Sequence, residues 1–285
     1  ELPTKDLIES CYETIDDPEE NKELIKKLEK ITNRPFYENE FFCLKYQSQS
    51  FLGRYKNKKI QKVKDSSSLS AGAVYVKERN REQLYALNLL HDDEVPLVTI
   101  TGLAGSGKTY LTLLAGIEGL HAGKYRRIVI TRNVQPVGRD IGFLPGTEED
   151  KMMPWLAAIH DNLEALHEHD DNPEASIRFA LEKGNIQFKS LNFIRGRSIQ
   201  DAIILVDEAQ NLTPQQLKTI ITRCGKGSKI VCLGNLAQID SNYLTALTSG
   251  LTYVVERFKG WHGASTLHLE GIVRSRLASY AEQNL

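Results

Sequence analysis

Residues 102–109 have the types and spacing to hold a polyphosphate. They read Gly-Leu-Ala-Gly-Ser-Gly-Lys-Thr, fit the pattern G-x-x-x-x-G-K-[ST] and follow an apolar run at 96–101. In such a strand, turn and helix, backbone N–H groups point at phosphate oxygens, Lys108 can reach the β- and γ-phosphates, and the Thr109 hydroxyl can bind Mg²⁺. The alternative is a glycine-rich turn without a ligand. The predicted nucleotide-binding residues of this loop are Gly102, Leu103, Ala104, Gly105, Ser106, Gly107, Lys108, Thr109 and Tyr110.

A second chemical element is an acidic pair at the end of an apolar run. Residues 202–206 read Ala-Ile-Ile-Leu-Val and are followed by Asp207 and Glu208. We expect this strand to end beside the phosphate-binding loop, as in a doubly wound sheet. Asp207 would then hold Mg²⁺, through water, while Glu208 would orient and deprotonate an attacking water. The alternative is a solvated acidic turn.

Two glutamines complete the candidate site. Gln238 follows the apolar run 229–233, where it could sense the γ-phosphate or the attacking water, or could lie in a simple polar turn. Gln83 lies near the start of a helical pattern before the loop. Its amide could recognise an adenine edge, or it could be an exposed residue of the first helical turn.

Several arginines could contact phosphates, although each could also be a solvated surface charge. Arg274 could stabilise charge on a transferring phosphoryl group, in its own subunit or in a neighbour. Arg132 follows one strand pattern, and Arg195 and Arg197 precede another, at strand ends where motors grip a nucleic-acid backbone. The N-terminal stretch 45–64 mixes lysines with aromatic residues, which suits nucleic acid but equally protects an edge strand from aggregation.

Composition restricts the function classes. The chain has 285 residues, with 36 Lys+Arg against 37 Asp+Glu, so contact with nucleic acid must come from a local basic surface. The four cysteines lack CxxC spacing and indicate reduced thiols. Because we find neither a membrane-length apolar run nor a signal pattern, we expect a soluble, cytoplasmic protein with no membrane partner. The missing initiator Met is compatible with a fragment that lacks an N-terminal domain.

The pattern along the chain predicts two units, 1–70 and 71–285. The first has helices in 5–31, the second of them starting at Pro18, then a β-hairpin within 41–64 and a linker at 65–72. In the second unit, Pro154 and Pro173 are placed to begin helices, and Trp155, Ile159, Leu163 and Leu166 form a core stripe. Strand patterns alternate with helices, which predicts an α/β fold with a parallel sheet flanked by helices. The expected strands are 97–101, 127–131, 186–191, 202–206, 229–233 and 265–269.

With these pieces in place, residues from about 79 to 280 resemble the PhoH-like ATPases, relatives of superfamily 1 helicases. The combination of strings is more specific than a phosphate-binding loop alone. The strings are 79–83, 101–109, Thr131-Arg132, 137–146 with Arg139, 194–198, 206–211 (Val-Asp-Glu-Ala-Gln-Asn), 234–240 and 250–253.

The resemblance implies a RecA-like P-loop fold, ATP hydrolysis with Mg²⁺ and a homo-oligomeric ring of six. Members resembling this chain are often fused behind a PIN ribonuclease domain, and the pair is regarded as an RNA-unwinding and cutting machine. A PIN-type partner, fused or separate, and single-stranded RNA are therefore expected partners, with Arg132, Arg139, Arg195 and Arg197 as candidate RNA contacts. Residues 1–70 resemble the connector and hairpin after a PIN domain. They lack its acidic tetrad, so we predict no nuclease activity.

Two positions depart from the family pattern. Asn133 stands where Pro is usual, and Asn235 stands where Asp is usual. An amide at 235 can accept a hydrogen bond but lacks the negative charge, so we expect nucleotide binding to be retained better than turnover.

The leading hypothesis is an ATP-driven motor on single-stranded RNA, with Lys108, Glu208, Gln238 and Arg274 as catalytic residues. One alternative is a kinase built on the same loop, although the acidic pair and Gln238 favour attack by water. Another is a nucleotide-gated assembly module that organises a PIN-type ribonuclease with little turnover of its own.

Overall fold

The computed structural model describes residues 5–13, 15–69, 78–132, 148–182, 185–194, 198–240 and 243–270. Two β-sheets organise these residues. A three-stranded antiparallel sheet lies near the N-terminus, and a six-stranded parallel sheet follows it.

The N-terminal sheet follows two helices, α1 (Lys5–Glu13) and α2 (Pro18–Thr32). Its strands are β1 (Phe41–Tyr46), β2 (Gln49–Lys56) and β3 (Lys59–Lys62). The expected hairpin is therefore a three-stranded meander. Asn57 and Lys58 have φ of 53° and 61°, the left-handed pair that closes a tight two-residue turn and adds the third strand.

Two of the three aromatic residues in the basic stretch 45–64 are part of the packing. Phe51 is fully buried in a cluster with the apolar residues of α1 and α2, and Tyr55 stacks on Phe36 with ring centroids 5.5 Å apart. On the opposite face Arg54 and Lys56 both pair with Asp92, at 2.8 and 2.7 Å. These residues build the fold, whereas Tyr46 is exposed, and a nucleic-acid contact of this stretch stays a prediction.

The strands of the large sheet are β4 (Leu97–Gly102), β5 (Arg127–Arg132), β6 (Ile186–Phe188), β7 (Ala202–Asp207), β8 (Lys229–Gly234) and β9 (Ala264–Leu269). All six are parallel, and their order across the sheet is β6-β5-β7-β8-β4-β9. β6 is shorter than the sequence predicts, because it ends at Phe188, and β9 begins one residue earlier than expected, at Ala264.

Helices cover the two faces of this sheet and form one apolar cluster on each. Residues 202–206 of β7 are all buried, as expected for a central strand packed on both faces. The architecture is that of a RecA-like α/β fold. The helices are α3 (Ser66–Leu69), α4 (Arg81–Leu90), α5 (Lys108–His121), α6 (Glu148–His167), α7 (Pro173–Glu182), α8 (Leu191–Ile194), α9 (Pro214–Ile221) and α10 (Gly250–Phe258).

Two local expectations were wrong, one about where a helix begins and one about the linker. Pro154 lies inside α6 instead of starting a helix, while Pro173 does begin α7. Residues 66–69 of the expected linker form the short helix α3. The core stripe is confirmed for Ile159, Leu163 and Leu166, which are all buried.

The four cysteines are free thiols, as their spacing indicates. Burial raises the pKa of Cys224 to about 11 and that of Cys232 to about 12. A thiol with such a pKa is a poor nucleophile near neutral pH.

Lys229, the first residue of β8, is 2% exposed and holds the end of α4. Its Nζ donates to the carbonyl oxygens of Leu89, Asp92 and Val95 at 2.9, 2.7 and 2.7 Å. Burial, with a smaller contribution from nearby Lys124, lowers the pKa of this ammonium to about 7 from 10.5.

This shift predicts a pH-dependent stability. Between about pH 7 and 8.5, below the range in which the cysteines of the unfolded chain ionise, the unfolded chain keeps a proton that folded Lys229 releases. The free energy of unfolding should therefore rise with pH in this range, by up to about 1.4 kcal/mol per unit. Urea unfolding of Lys229→Met should lack this rise. Lys218→Met removes an exposed lysine of α9 and should keep it. Equal slopes in all three proteins would contradict the prediction.

Candidate nucleotide-binding site

The phosphate-binding loop has the predicted setting, between the end of β4 and the start of α5. Gly102, Gly105 and Gly107 have φ of 148°, 78° and 95°, conformations that favour glycine. At Gly102 an added Cβ would also lie 2.7 Å from the carbonyl oxygen of Leu269. The loop therefore needs glycine at this position for both its backbone conformation and its packing.

Lys108 is folded over the loop to which it belongs. Its Nζ donates to the carbonyl oxygens of Gly102 at 2.6 Å and Leu103 at 2.8 Å. The ammonium is half-buried at the first residue of α5, beside Thr109. A phosphate group entering the loop would meet this cation and the N-terminal N–H groups of α5 together.

Buried polar atoms around the loop fit a polar ligand. Ser106 and Asn235 are 2% and 8% exposed, yet the Ser106 Oγ and the Asn235 Nδ2 have no hydrogen-bond partner within the described part of the chain. Because an unpaired buried donor is costly, such atoms mark places where a ligand can supply the missing acceptor. ATP phosphates have the required acceptor oxygens.

The acidic pair lies one strand further from the loop than expected, because β8 separates β7 from β4. Thr101 pairs with Gly234, so the residues after β8 adjoin the loop directly. Val206 pairs with Cys232, which places Asp207 and Glu208 on the far side of β8. The segment 235–240, which contains Gln238 and is here called the sensor loop, therefore lies between the phosphate-binding loop and the acids.

Asp207 and Glu208 differ in backbone conformation, although they are adjacent. Asp207 ends β7, and its carboxylate lies 3.9 Å from the Arg132 guanidinium across the ladder. Glu208 has φ 48° and ψ 42°, a left-handed conformation that turns the chain out of the strand. Because of this turn, the Glu208 side chain no longer follows the alternation of side chains between the two faces of the strand. The two acids can therefore have different roles.

Arg132, a candidate RNA contact, lies at the carboxyl end of β5, the same edge of the sheet as Asp207. Its partner Asp207 is the candidate Mg²⁺ ligand, and the arginine side chain is 37% exposed. A contact with RNA stays a prediction. The other arginine candidates, Arg139, Arg195, Arg197 and Arg274, and the family departure at Asn133 lie outside the described residues.

Gln83 is a buried link between α4 and the phosphate-binding loop, not an exposed helix residue. It is 6% exposed; its Nε2 donates to the Ser106 carbonyl oxygen at 3.2 Å, and its Oε1 accepts from the Arg79 N–H at 2.9 Å. These two bonds use one N–H group and one lone pair of the amide, so a second N–H group and a second lone pair could contact adenine. That contact stays a prediction.

Sequence reasoning missed Gln210, which joins the acidic pair to the sensor loop. Its Nε2 donates to the Glu208 carboxylate and to the Gln238 carbonyl oxygen, and its Oε1 accepts from the Asn235 N–H. The Gln238 side chain itself is exposed. The sequence signal that could have indicated Gln210 was its place in the string Asp-Glu-Ala-Gln at 207–210, two residues after the candidate base.

In the described residues no helix combines the length and apolar character that crossing a bilayer requires.

Comparison with known proteins gives a family. Residues 75–284 match the family model described as PhoH-like protein. Protein PhoH2 of Bacillus subtilis (strain 168) is 47% identical over 207 residues, which are 72% of this chain and 47% of that protein. Protein PhoH2 of Thermobispora bispora is 39% identical over 209 residues, covering 73% of this chain and 47% of that protein. The chain spans about half the length of the curated relatives it matches.

Two solved structures show weaker similarity. The crystal structure of Pif1 helicase from Candida albicans has a TM-score of 0.37 and 15% identity, covering 73% of this chain and 43% of that chain. The Sulfolobus solfataricus SWI2/SNF2 ATPase core in complex with dsDNA has a TM-score of 0.40 and 12% identity, covering 70% and 47%.

Proposed function

Since this chain belongs to the PhoH-like protein family, we propose that it is an ATP-hydrolysing motor that acts on single-stranded RNA. One observation carries the hydrolysis part of the proposal. The phosphate-binding loop, the sensor loop and the acidic pair follow three neighbouring strands, β4, β8 and β7, at the same edge of the sheet. A triphosphate bound in the loop would therefore have its γ-phosphate near the residues that could activate water.

Each residue has a distinct role in this proposal. The Lys108 ammonium would exchange its two carbonyl partners for phosphate oxygens. The Thr109 hydroxyl and the Asp207 carboxylate would hold Mg²⁺. When bound, this ion would neutralise negative charge on the phosphates. Glu208 would take a proton from water while the water oxygen bonds to the γ-phosphorus and the bond to the ADP oxygen breaks. Gln238 would contact the γ-phosphate or that water, and Arg274 would stabilise the transferring group.

The RNA part of the proposal is tested by hydrolysis in the presence of polymers. We expect single-stranded RNA to raise the steady-state rate of ATP hydrolysis, because a motor couples turnover to its track. Heparin at equal charge concentration is the control, since a general polyanion effect would raise both rates. Phosphate release should be measured by a coupled assay at low salt. Equal rates with and without RNA would contradict the RNA substrate, and transfer of phosphate to a group other than water would contradict hydrolysis.

The proposal extends to assembly and location. We propose a homo-oligomeric ring of six in the cytoplasm that works with a PIN-type ribonuclease domain, fused or separate. Mass photometry with and without Mg-ATP tests the ring. A monomer under both conditions would contradict it.

A second candidate is a nucleotide-gated assembly module with little turnover. It is favoured by Asn235, a neutral amide where the family usually has Asp, with its buried Nδ2 unpaired among the described residues. An amide N–H can bind a phosphate oxygen without the anion that would help organise water. Tight ATP binding with negligible hydrolysis, together with ATP-dependent oligomer formation, would select this candidate.

A further inference from the structure

Gln210 is fully buried in a short 3₁₀ turn, Ala209–Asn211, directly after Glu208. Both N–H groups of its side-chain amide are used: one donates to the Glu208 Oε2, and the other donates to the Gln238 carbonyl oxygen at 2.8 Å. Its Oε1 accepts from the Asn235 N–H at 3.1 Å. One side chain therefore joins the candidate base to both ends of the Asn235–Gln238 turn.

The surroundings of Gln210 are built to keep it in place. The backbone carbonyl oxygen of Gln210 accepts a hydrogen bond from the Oγ of Ser249. Ser249 is fully buried and caps the N-terminus of α10. At Gly234 an added Cβ would lie 2.9 Å from the Gln210 Oε1, so glycine lets the amide reach the end of β8. The next residue, Asn211, accepts from the Asp240 N–H at 2.9 Å and so holds the far end of the sensor loop.

We propose that Gln210 is the positioning residue of Glu208, an inference that rests on the proposed function. Glu208 has a flexible side chain that must be held where the attacking water lies, and the hydrogen bond from Gln210 restricts that carboxylate. The same amide is hydrogen-bonded to Asn235 and Gln238. Displacement of the sensor loop by a γ-phosphate would therefore reach Glu208 through the side chain of Gln210.

The test uses two substitutions that disturb the contact with Glu208 in different ways. Gln210→Glu keeps the size and the acceptor for Asn235 but puts a second carboxyl beside Glu208, which competes with the base for the proton, whereas Gln210→Met keeps the approximate length without polar atoms. We expect the turnover number to fall about 10- to 100-fold in both, the worth of one hydrogen bond to a charged group, with ATP affinity within about threefold. Measured ATP affinity also reports that each variant is folded.

The matched control is Gln216→Glu on α9. Gln216 takes part in a capping box with Thr213, where Glu serves equally well. This variant should keep the turnover number of the wild type.

A double-mutant cycle separates positioning from general support of the fold. If Gln210 acts through Glu208, Gln210→Met should add no further loss when Glu208 is already Gln, in single-turnover assays with labelled ATP. A structural role would multiply the two losses and would overturn the inference, as would unchanged turnover in both Gln210 variants. If neither variant binds ATP, Gln210 is a folding residue and the inference also fails. Absence of hydrolysis by the wild type would overturn the proposed function itself and this inference with it.

Discussion

Replacing Glu208 by Gln should lower the turnover number for ATP about 100- to 10,000-fold, the range expected when a general base is lost. Gln has nearly the same shape and can still orient water, but it cannot accept the proton. In the structure Glu208 lies outside the phosphate-binding loop, on the far side of β8. The affinity for ATP should therefore stay within about threefold of the wild type.

The measurement is phosphate release together with equilibrium titration of a fluorescent ATP analogue. Glu256→Gln is the control, because Glu256 is exposed on α10. It makes the same chemical change without altering the proposed base. Turnover by Glu208→Gln close to that of the wild type would remove Glu208 from the mechanism. A large loss of ATP affinity would assign it to nucleotide binding instead.

Replacing Lys108 by Ala should weaken ATP binding about 10- to 150-fold, which corresponds to the loss of one charge-assisted hydrogen bond of about 1.5–3 kcal/mol. The ammonium is half-buried at the start of α5 and already spans the loop through the carbonyl oxygens of Gly102 and Leu103. In the proposed complex the N–H groups of this ammonium donate to phosphate oxygens, which adenosine does not have. We therefore expect the affinity for adenosine, which lacks phosphates, to change far less than that for ATP.

Isothermal titration with Mg-ATP and with adenosine measures this difference. Lys218→Ala, on the exposed side of α9, should leave both affinities unchanged. Equal losses for ATP and adenosine in Lys108→Ala would indicate a collapsed loop instead of a missing phosphate contact. Unchanged ATP affinity would mean that the triphosphate binds elsewhere.

The parts of the site that depend on local chemistry could be predicted from the sequence. Gly102, Gly105 and Gly107 have the positive φ values that a tight phosphate-binding turn requires, and the helix begins at Lys108. The parallel sheet was also predictable, because runs such as 202–206 are apolar at every position and fit a strand buried on both faces.

Lateral order in the sheet could not be predicted in the same way. Hydrophobic periodicity reports which faces of a strand are buried, but parallel strands make similar hydrogen bonds with any neighbour. Nothing local therefore indicated that β8 separates β4 from β7. That insertion is what places Asn235 and Gln238 between the phosphate-binding loop and the acids.

The sequence by itself determined the chemistry available to this chain: a glycine turn with Lys108 and Thr109, and an acidic pair after a buried strand. Only the tertiary structure decided which polar side chains connect these parts. The sequence indicated a ligand role for Gln83 and no role for Gln210 and Lys229, yet all three are buried against backbone groups or side chains from other segments. The physical reason is that a buried polar group is defined by its partners, and those partners meet only when the sheet and its helices have packed.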